Sequence, residues 1–494
     1  MFTLPLRAYS ILDTVIWRLA QRLNLPTMTY VEDVKTEPRP GTTMRRFATT
    51  IGFVTAFCLM MARLHAETPV NVDEGYRLLT EKSYLPGDFD QEAFDNVWKV
   101  WPKKLKAAAE KATAEERRAM AYDRYGLTTR PGDDSGQPMQ YVVRADGMWT
   151  MNCFSCHGGT VTGQVIPGLP NANFELETLT EEIRLTKLLM KKPLTRMDVG
   201  QLAVPLGTNR GLTNAIMFGV GLMAYRDNDL NIVPNRHPPM INHDVDPPPW
   251  WNYSRRPRIY IDGYAERGAR GLMPFMMVPE NGPDQFREWE SDFEKIYDYI
   301  MSLEPPKYPF EIDEQLVASG KVAFETNCAE CHGTYGEEQA YPGRIVPIDE
   351  IGTDSVRLTA LTPENRKAYG SSWFAHYGKQ ETIHKPAGYQ APPLNGVWAS
   401  APYFHNGAVP TLQDVLNPAD RPDVWRRSSR PFDQEKIGLS VDRLESMPRK
   451  LLSKRARRHY FDTNRFGKSN EGHEYPDALD DDEKRAVLEY LKTL

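Results

Sequence analysis

The chain has 494 residues, 40% hydrophobic and 26% charged, with a formal net charge of -6. That length supports two domains, each with its own core, and the composition is that of a globular protein, not a disordered or fibrous one. The small negative charge argues against bulk nucleic-acid binding and gives binding to a membrane surface no support.

In chain order, residues 1–43 precede what looks like an export signal and read as an over-extended start or a disordered N-terminus. Residues 44–66 have the layout of a secretory signal peptide. Met44-Arg45-Arg46 is basic, Phe47 to Ala62 is apolar, and Leu64-His65-Ala66 ends in a small residue before Glu67. Two other readings stay open, a lipoprotein anchored at Cys58 and an uncleaved anchor. Phe57 is bulky for the first, and the apolar run is shorter than the roughly 20 residues a membrane span needs. The expectation is a periplasmic or secreted protein with no transmembrane span after processing.

Helical spacing predicts helices over Asn71 to Lys82, Trp101 to Tyr125 and Gln285 to Leu303, the last stopped by Pro305-Pro306-Lys307-Tyr308-Pro309. A second set follows with Ile312 to Asn327 and Asp480 to Leu494, and Gly320 would let these two approach closely where they cross. The expected architecture is mainly α, with two helical domains. These are 67–304, carrying a long irregular insertion, and 305–494. The insertion holds Asp246-Pro247-Pro248-Pro249-Trp250-Trp251, either a structural plug or an aromatic element near a cofactor. The basic stretch Arg421 to His459 reads as a solvated loop, or alternatively as a docking surface for an acidic partner.

Four of the five cysteines lie in two copies of one pattern, Cys153-Phe154-Ser155-Cys156-His157 and Cys328-Ala329-Glu330-Cys331-His332. C-x-x-C-H is the attachment site of c-type haem. The two thiols form thioethers with the ring's vinyl groups, and the histidine ligates iron. Two covalently bound haem c groups are therefore expected, on Cys153, Cys156, His157 and on Cys328, Cys331, His332. A zinc site would need its C-x-x-C pairs close enough to share one ion.

Function turns on the other side of each iron, where a second histidine or a methionine suits electron transfer and an open position admits oxygen or peroxide. The candidates are His237, His243, His376, His384, His405, His459 and His473, and with 19 methionines in the chain no methionine ligand can be picked out. His405 and His473 stand out by context. The first lies in the tight loop Ala401-Pro402-Tyr403-Phe404-His405-Asn406-Gly407, the second in Gly472-His473-Glu474-Tyr475 just before the last helix.

The stretch Pro393-Leu394-Asn395-Gly396-Val397-Trp398-Ala399-Ser400-Ala401-Pro402-Tyr403-Phe404-His405-Asn406-Gly407, with Thr411-Leu412 after it, resembles the signature of the bacterial di-haem cytochrome c peroxidase superfamily. Pro306-Lys307-Tyr308-Pro309-Phe310, Cys331-His332-Gly333-Thr334-Tyr335-Gly336, Ile351-Gly352-Thr353-Asp354 and Gly472-His473-Glu474-Tyr475 are similar to the branch containing di-haem rubber oxygenases. The resemblance covers nearly all of 305–494. Over 67–304 it is weaker, resting on the haem motif, Gly207-Thr208-Asn209 and the Pro-Pro-Trp-Trp segment.

The resemblance implies that the first haem, with His157 as proximal ligand, is the reactive one. It implies that His332 carries a second, electron-relaying haem with His473 as distal ligand, while the His405 loop braces that haem. The expected function is an exported di-haem oxidoreductase that activates peroxide or dioxygen and takes electrons from a small donor protein or cytochrome. A non-catalytic electron-transfer cytochrome and an oxygenase acting on an apolar substrate are the alternatives.

Overall fold

The computed structural model describes residues 72–234, 240–430, 432–450 and 453–494. The expected signal peptide, the residues before it and His237 lie outside the described residues. All described residues belong to one compact unit.

Eight helices set the frame: α1 (Val72–Glu81), α2 (Lys103–Lys111), α3 (Ala114–Tyr125), α4 (Leu176–Leu189), α5 (Pro283–Glu288), α6 (Glu290–Met301), α7 (Glu314–Asn327) and α8 (Asp481–Leu491). The sequence predicts α2 and α3 as one helix, and the structure breaks them. Ala112 is extended, and Thr113 starts α3 through a reciprocal capping box: its hydroxyl accepts from Glu116 N and Glu116 accepts from Thr113 N. The T-x-x-E pattern that marks such a start outweighs an unbroken run of good helix formers. The predicted helix 285–303 is likewise two, α5 and α6, meeting at buried Trp289.

Two helix pairs carry the repeat. α1 crosses α6, and α7 crosses α8, each over a glycine. A methyl group on Gly75 would collide with the Lys295 carbonyl oxygen, and one on Gly320 with that of Ala486. Backbone therefore meets backbone at both crossings. Asp313 caps α7 by accepting from Gln315 N and Leu316 N, and Asp480 caps α8 in a box with Glu483.

The mainly-α expectation needs correction. Helix accounts for 42% and strand for 13%, so the fold is mixed, although every sheet is small. The basic stretch read as a loop forms a three-stranded antiparallel sheet, with Val424–Arg427 central between Val441–Leu444 and Tyr460–Asp462. Its two strands within that stretch are four residues each, rich in charge and without apolar alternation, so no strand signal marks them. Trp425 stacks on Phe461 at 5.0 Å and donates from Nε1 to the Ala408 carbonyl, fixing the sheet to the loop that carries His405.

Several of those basic residues turn inward, against α4. Arg455 pairs with Glu181 at 3.0 Å and Glu182 at 3.2 Å, and Arg458 with Glu177 at 3.3 Å and Glu181 at 3.1 Å. Glu182, fully buried, also binds Arg124 and the Tyr125 hydroxyl. The cores interleave as well. One cluster joins Leu78, Phe154 and Phe293 to Tyr369 and Phe374, and another joins Leu169, Leu212 and Trp251 to Phe324, Trp398 and Tyr490.

Replacing Gly320 by Val should cost about 3 kcal/mol, the upper range for overpacking, because the obstacle is backbone that cannot rotate away. Urea denaturation measures this; an unchanged midpoint would mean that α7 and α8 do not cross there.

Candidate functional site

The first motif follows the strand Met148–Met151 and forms a single turn, Phe154–His157. Asn152 starts the turn by accepting from Phe154 N, and Ser155 Oγ donates to the Gln140 carbonyl. Phe154, fully buried, packs on Tyr76 of α1 at 5.6 Å and Tyr299 of α6 at 6.5 Å, so the helix crossing positions the motif. His157 Nδ1 lies 3.1 Å from the Pro248 carbonyl oxygen, and its ring stacks on Trp250 at 4.8 Å and 24°.

The second motif grows directly out of α7. Cys328 caps that helix, and Ala329–His332 makes the turn. His332 Nδ1 lies 2.8 Å from the Pro392 carbonyl oxygen. A carbonyl can only accept, so in both motifs Nδ1 carries the proton and Nε2 keeps its lone pair for a metal.

His473 faces His332, with ring centroids 6.1 Å apart at 67°. With metal–imidazole bonds of about 2.0 Å, two imidazoles on opposite sides of one ion put their ring centres roughly 6 Å apart. His473 Nδ1 is buried without a hydrogen-bond partner. Its backbone is held in the left-handed region at φ 52°. Its N–H donates to the Ile351 carbonyl at 2.7 Å. Arg421 clamps the loop by donating to the Asn470 and Gly472 carbonyls, both at 2.7 Å, and its guanidinium lies 4.9 Å from the centre of the Phe404 ring.

Burial pushes His157 down to about 4 and His473 down to about 3, the latter with help from His332 and Arg421, and lowers His332 as well. All three stay neutral at neutral pH, as a metal ligand must. Burial raises the Cys153 and Cys328 thiols to about 11 and Cys156 to about 12; Cys331 also rises. Reactive or metal-binding thiolates show the opposite shift. Among the described residues none of these four cysteines is in a disulfide, and no cluster of three or more His, Cys, Asp or Glu could hold a metal ion. The donor sets thus fit a covalently held haem better than a thiolate ion site.

His405 lies elsewhere. Its ring sits 4.5 Å from that of Tyr389, and burial, then the charge of Arg357, pushes it down to about 3. Its neighbour Asn406 donates to the Ser469 carbonyl at 2.9 Å, tying this loop to the one carrying His473. Among the other histidines, His243 Nδ1 bonds the Ile241 carbonyl, His384 lies near Thr382, His459 near Glu175, and His376 sits at a kink with φ 50°.

The two motifs are joined through the proline–tryptophan segment. Pro248 and Trp250 touch His157, while Trp251 Nε1 donates to the Asn395 carbonyl at 2.6 Å and Asn252 Nδ2 to that of Pro393 at 2.9 Å. Pro392, which orients His332, is the next residue back. The sequence reading missed the two proline carbonyls, although each motif has a Pro-Pro pair to signal them. Arg421 had no signal, since its role depends on three distant carbonyls.

A family profile described as RoxA-like, cytochrome c-like matches residues 388–426. These include the loop of His405 and Arg421, and the match supports a cytochrome c-type redox protein with covalent haem c. Two curated proteins of Sinorhizobium fredii (strain NBRC 101917 / NGR234) are similar. One is named uncharacterized protein y4iJ, 28% identical over 258 residues, which cover 39% of this chain and 41% of that protein. The other, uncharacterized protein y4iM, is 27% identical over 241 residues, covering 40% of this chain and 53% of that protein. The chain spans about half the length of the curated relatives it matches. Among the described residues no helix is long and apolar enough to cross a membrane.

Because His405 binds fewer protons folded than unfolded, stability should fall as pH drops below about 6.5, and keep falling toward the lowered folded value. In His405→Phe the slope of unfolding free energy against pH between about 4 and 6.5 should be shallower. Denaturant titrations at stepped pH measure it; identical slopes would remove His405 as a contributor.

Proposed function

We propose that this chain is an exported di-haem c-type oxidoreductase whose two haem sites have unlike surroundings. Cys153, Cys156 and His157 would hold one haem, and Cys328, Cys331, His332 and His473 would hold the other. The observation that carries this reading is the facing pair His332 and His473, 6.1 Å apart between ring centres. When bound, the haems supply one-electron redox chemistry and, at an iron with an open position, activation of peroxide or dioxygen.

The protein's own residues divide the work. The Pro392 carbonyl holds His332 in one tautomer, while Arg421 and the Ile351 carbonyl hold His473 opposite it, an arrangement suited to storing and passing electrons. At the first site Trp250 stacks on the face of the His157 imidazole and, with the Pro248 carbonyl, holds that ring in place. The resemblance to the di-haem oxygenase branch supports His157 as ligand of the reactive haem, with peroxide or dioxygen as its small substrate. Trp250 and Trp251 span from His157 to the 392–395 segment and offer a covalent and hydrogen-bonded path between the sites. Electrons would arrive from a small donor protein or cytochrome.

Two measurements test this. A pyridine haemochrome assay on the exported protein should give two haem c per chain, and one after either Cys153→Ala with Cys156→Ala or Cys328→Ala with Cys331→Ala. Replacing His473 by Ala should convert one low-spin haem to high-spin in the absorption and EPR spectra. An unchanged spectrum removes His473 as a ligand. Two low-spin haems inert to peroxide, dioxygen and carbon monoxide would leave a non-catalytic electron carrier.

A further inference from the structure

A cavity of about 640 Å³ lies where the loop 206–214 meets the sheet of Val424–Arg427 and Tyr460–Asp462, and no role described above uses it. Its volume is in the range of small-molecule sites. One wall is apolar, made by the stacked pair Trp425 and Phe461 with Leu212 and Pro402.

The rest of the lining mixes polar side chains such as Asn209, Ser428 and Ser429 with four arginines. It carries Arg210, Arg426, Arg427 and Arg458 against one carboxylate, Asp442. Asp442 is taken by Arg426 at 2.9 Å, and Arg458 is neutralised by Glu177 and Glu181. Arg210 spends Nε and Nη2 on the carbonyls of Asn173 and Asp123, with Glu175 3.9 Å away. Arg427 makes one bond, from Nη1 to Asn173 Oδ1 at 3.1 Å. Its Nη2 is buried with no partner. Burial, then Arg210, lowers Arg427 to about 9, which leaves it charged at neutral pH. Asn209 Oδ1, also in the lining, is a second buried atom without a partner, while its Nδ2 is committed to the carbonyls of Arg458 and Tyr460.

A buried guanidinium N–H without an acceptor is unfavourable, and a charged acceptor relieves it best. The unpaired Asn209 oxygen asks for a donor. We propose that this cavity binds a carboxylate on a flat organic body that also carries a hydroxyl. Arg427 holds the carboxylate with Arg210 beside it, Asn209 accepts from the hydroxyl, and the body lies against Trp425 and Phe461. The inference stands apart from the assignment of the iron ligands. The occupant proposed is a diffusible aromatic hydroxy acid; a haem propionate, which brings no hydroxyl to Asn209, is the rival that the test separates from it.

The experiment titrates 4-hydroxybenzoate, and the uncharged 4-hydroxybenzamide, into the full-length haem-loaded protein by calorimetry, with haem midpoint potentials measured alongside. A diffusible acid predicts that the benzoate binds about tenfold or more tighter than the amide, and that Arg427→Gln removes that preference without moving either potential. Arg210→Gln, whose residue is less buried in contacts, should weaken the preference and serves if Arg427→Gln does not fold. No preference in the native protein, with a shifted potential of one haem in either variant, assigns the carboxylate to a propionate. No preference and unshifted potentials in the folded variants overturn the proposal.

Discussion

The carbonyl oxygens of Pro248 and Pro392 constrain both motif histidines in the same way, and the rest of the site is arranged around that. Each accepts from an imidazole Nδ1, which fixes the tautomer and points the opposite nitrogen at the place where a metal would sit. Both carbonyls precede a second proline, whose ring confines the residue before it to extended backbone. The acceptor is therefore aimed before the histidine reaches it. The same two segments touch each other, through Trp251 and Asn252 on one side and Pro393 and Asn395 on the other.

Packing supports this geometry from both sides. The glycine crossings at Gly75 and Gly320 bring helix backbones together, and each crossing lies against the turn that bears a motif. Between the halves, contacts are polar as well as apolar. Lys468 and Asp244 form a buried pair at 2.7 Å, with Thr208 donating to the same carboxylate. Such a pair contributes little net stability over an apolar contact, but removing one partner strands the other in a dry interior. Together with Arg455 and Arg458 on the acidic face of α4, it holds the halves in a single register.

The unequal neighbours of the two motif histidines follow from where each chain segment returns. The 470–473 loop comes back over His332 because Arg421 gathers its carbonyls, and His473 accepts a left-handed backbone to face inward. At His157 the run of prolines takes the side that Pro392 takes at His332, and adds the Trp250 indole on the imidazole face. Among the described residues a facing imidazole is placed only against His332.

The chain alone pointed to covalent haem c, because two cysteines and a histidine at C-x-x-C-H spacing need only one turn of backbone to come together. It determined the α7–α8 crossing too, since a glycine among apolar residues at helical period is a local pattern. His473 stood out by its sequence context and was given a ligand role only through the resemblance, and His405 stood out beside it although its ring faces Tyr389. Tertiary structure alone decided that Val424–Arg427 and Val441–Leu444 of the basic stretch pair in a sheet, that Arg455 and Arg458 turn onto α4, and that Pro248, Pro392 and Arg421 do the positioning. The reason is distance along the chain. His157 and its carbonyl partner are 91 residues apart, His332 and its partner 60, and the Arg421 contact to Gly472 spans 51. No periodicity or spacing rule reaches across such separations, because those contacts exist only once the cores have closed.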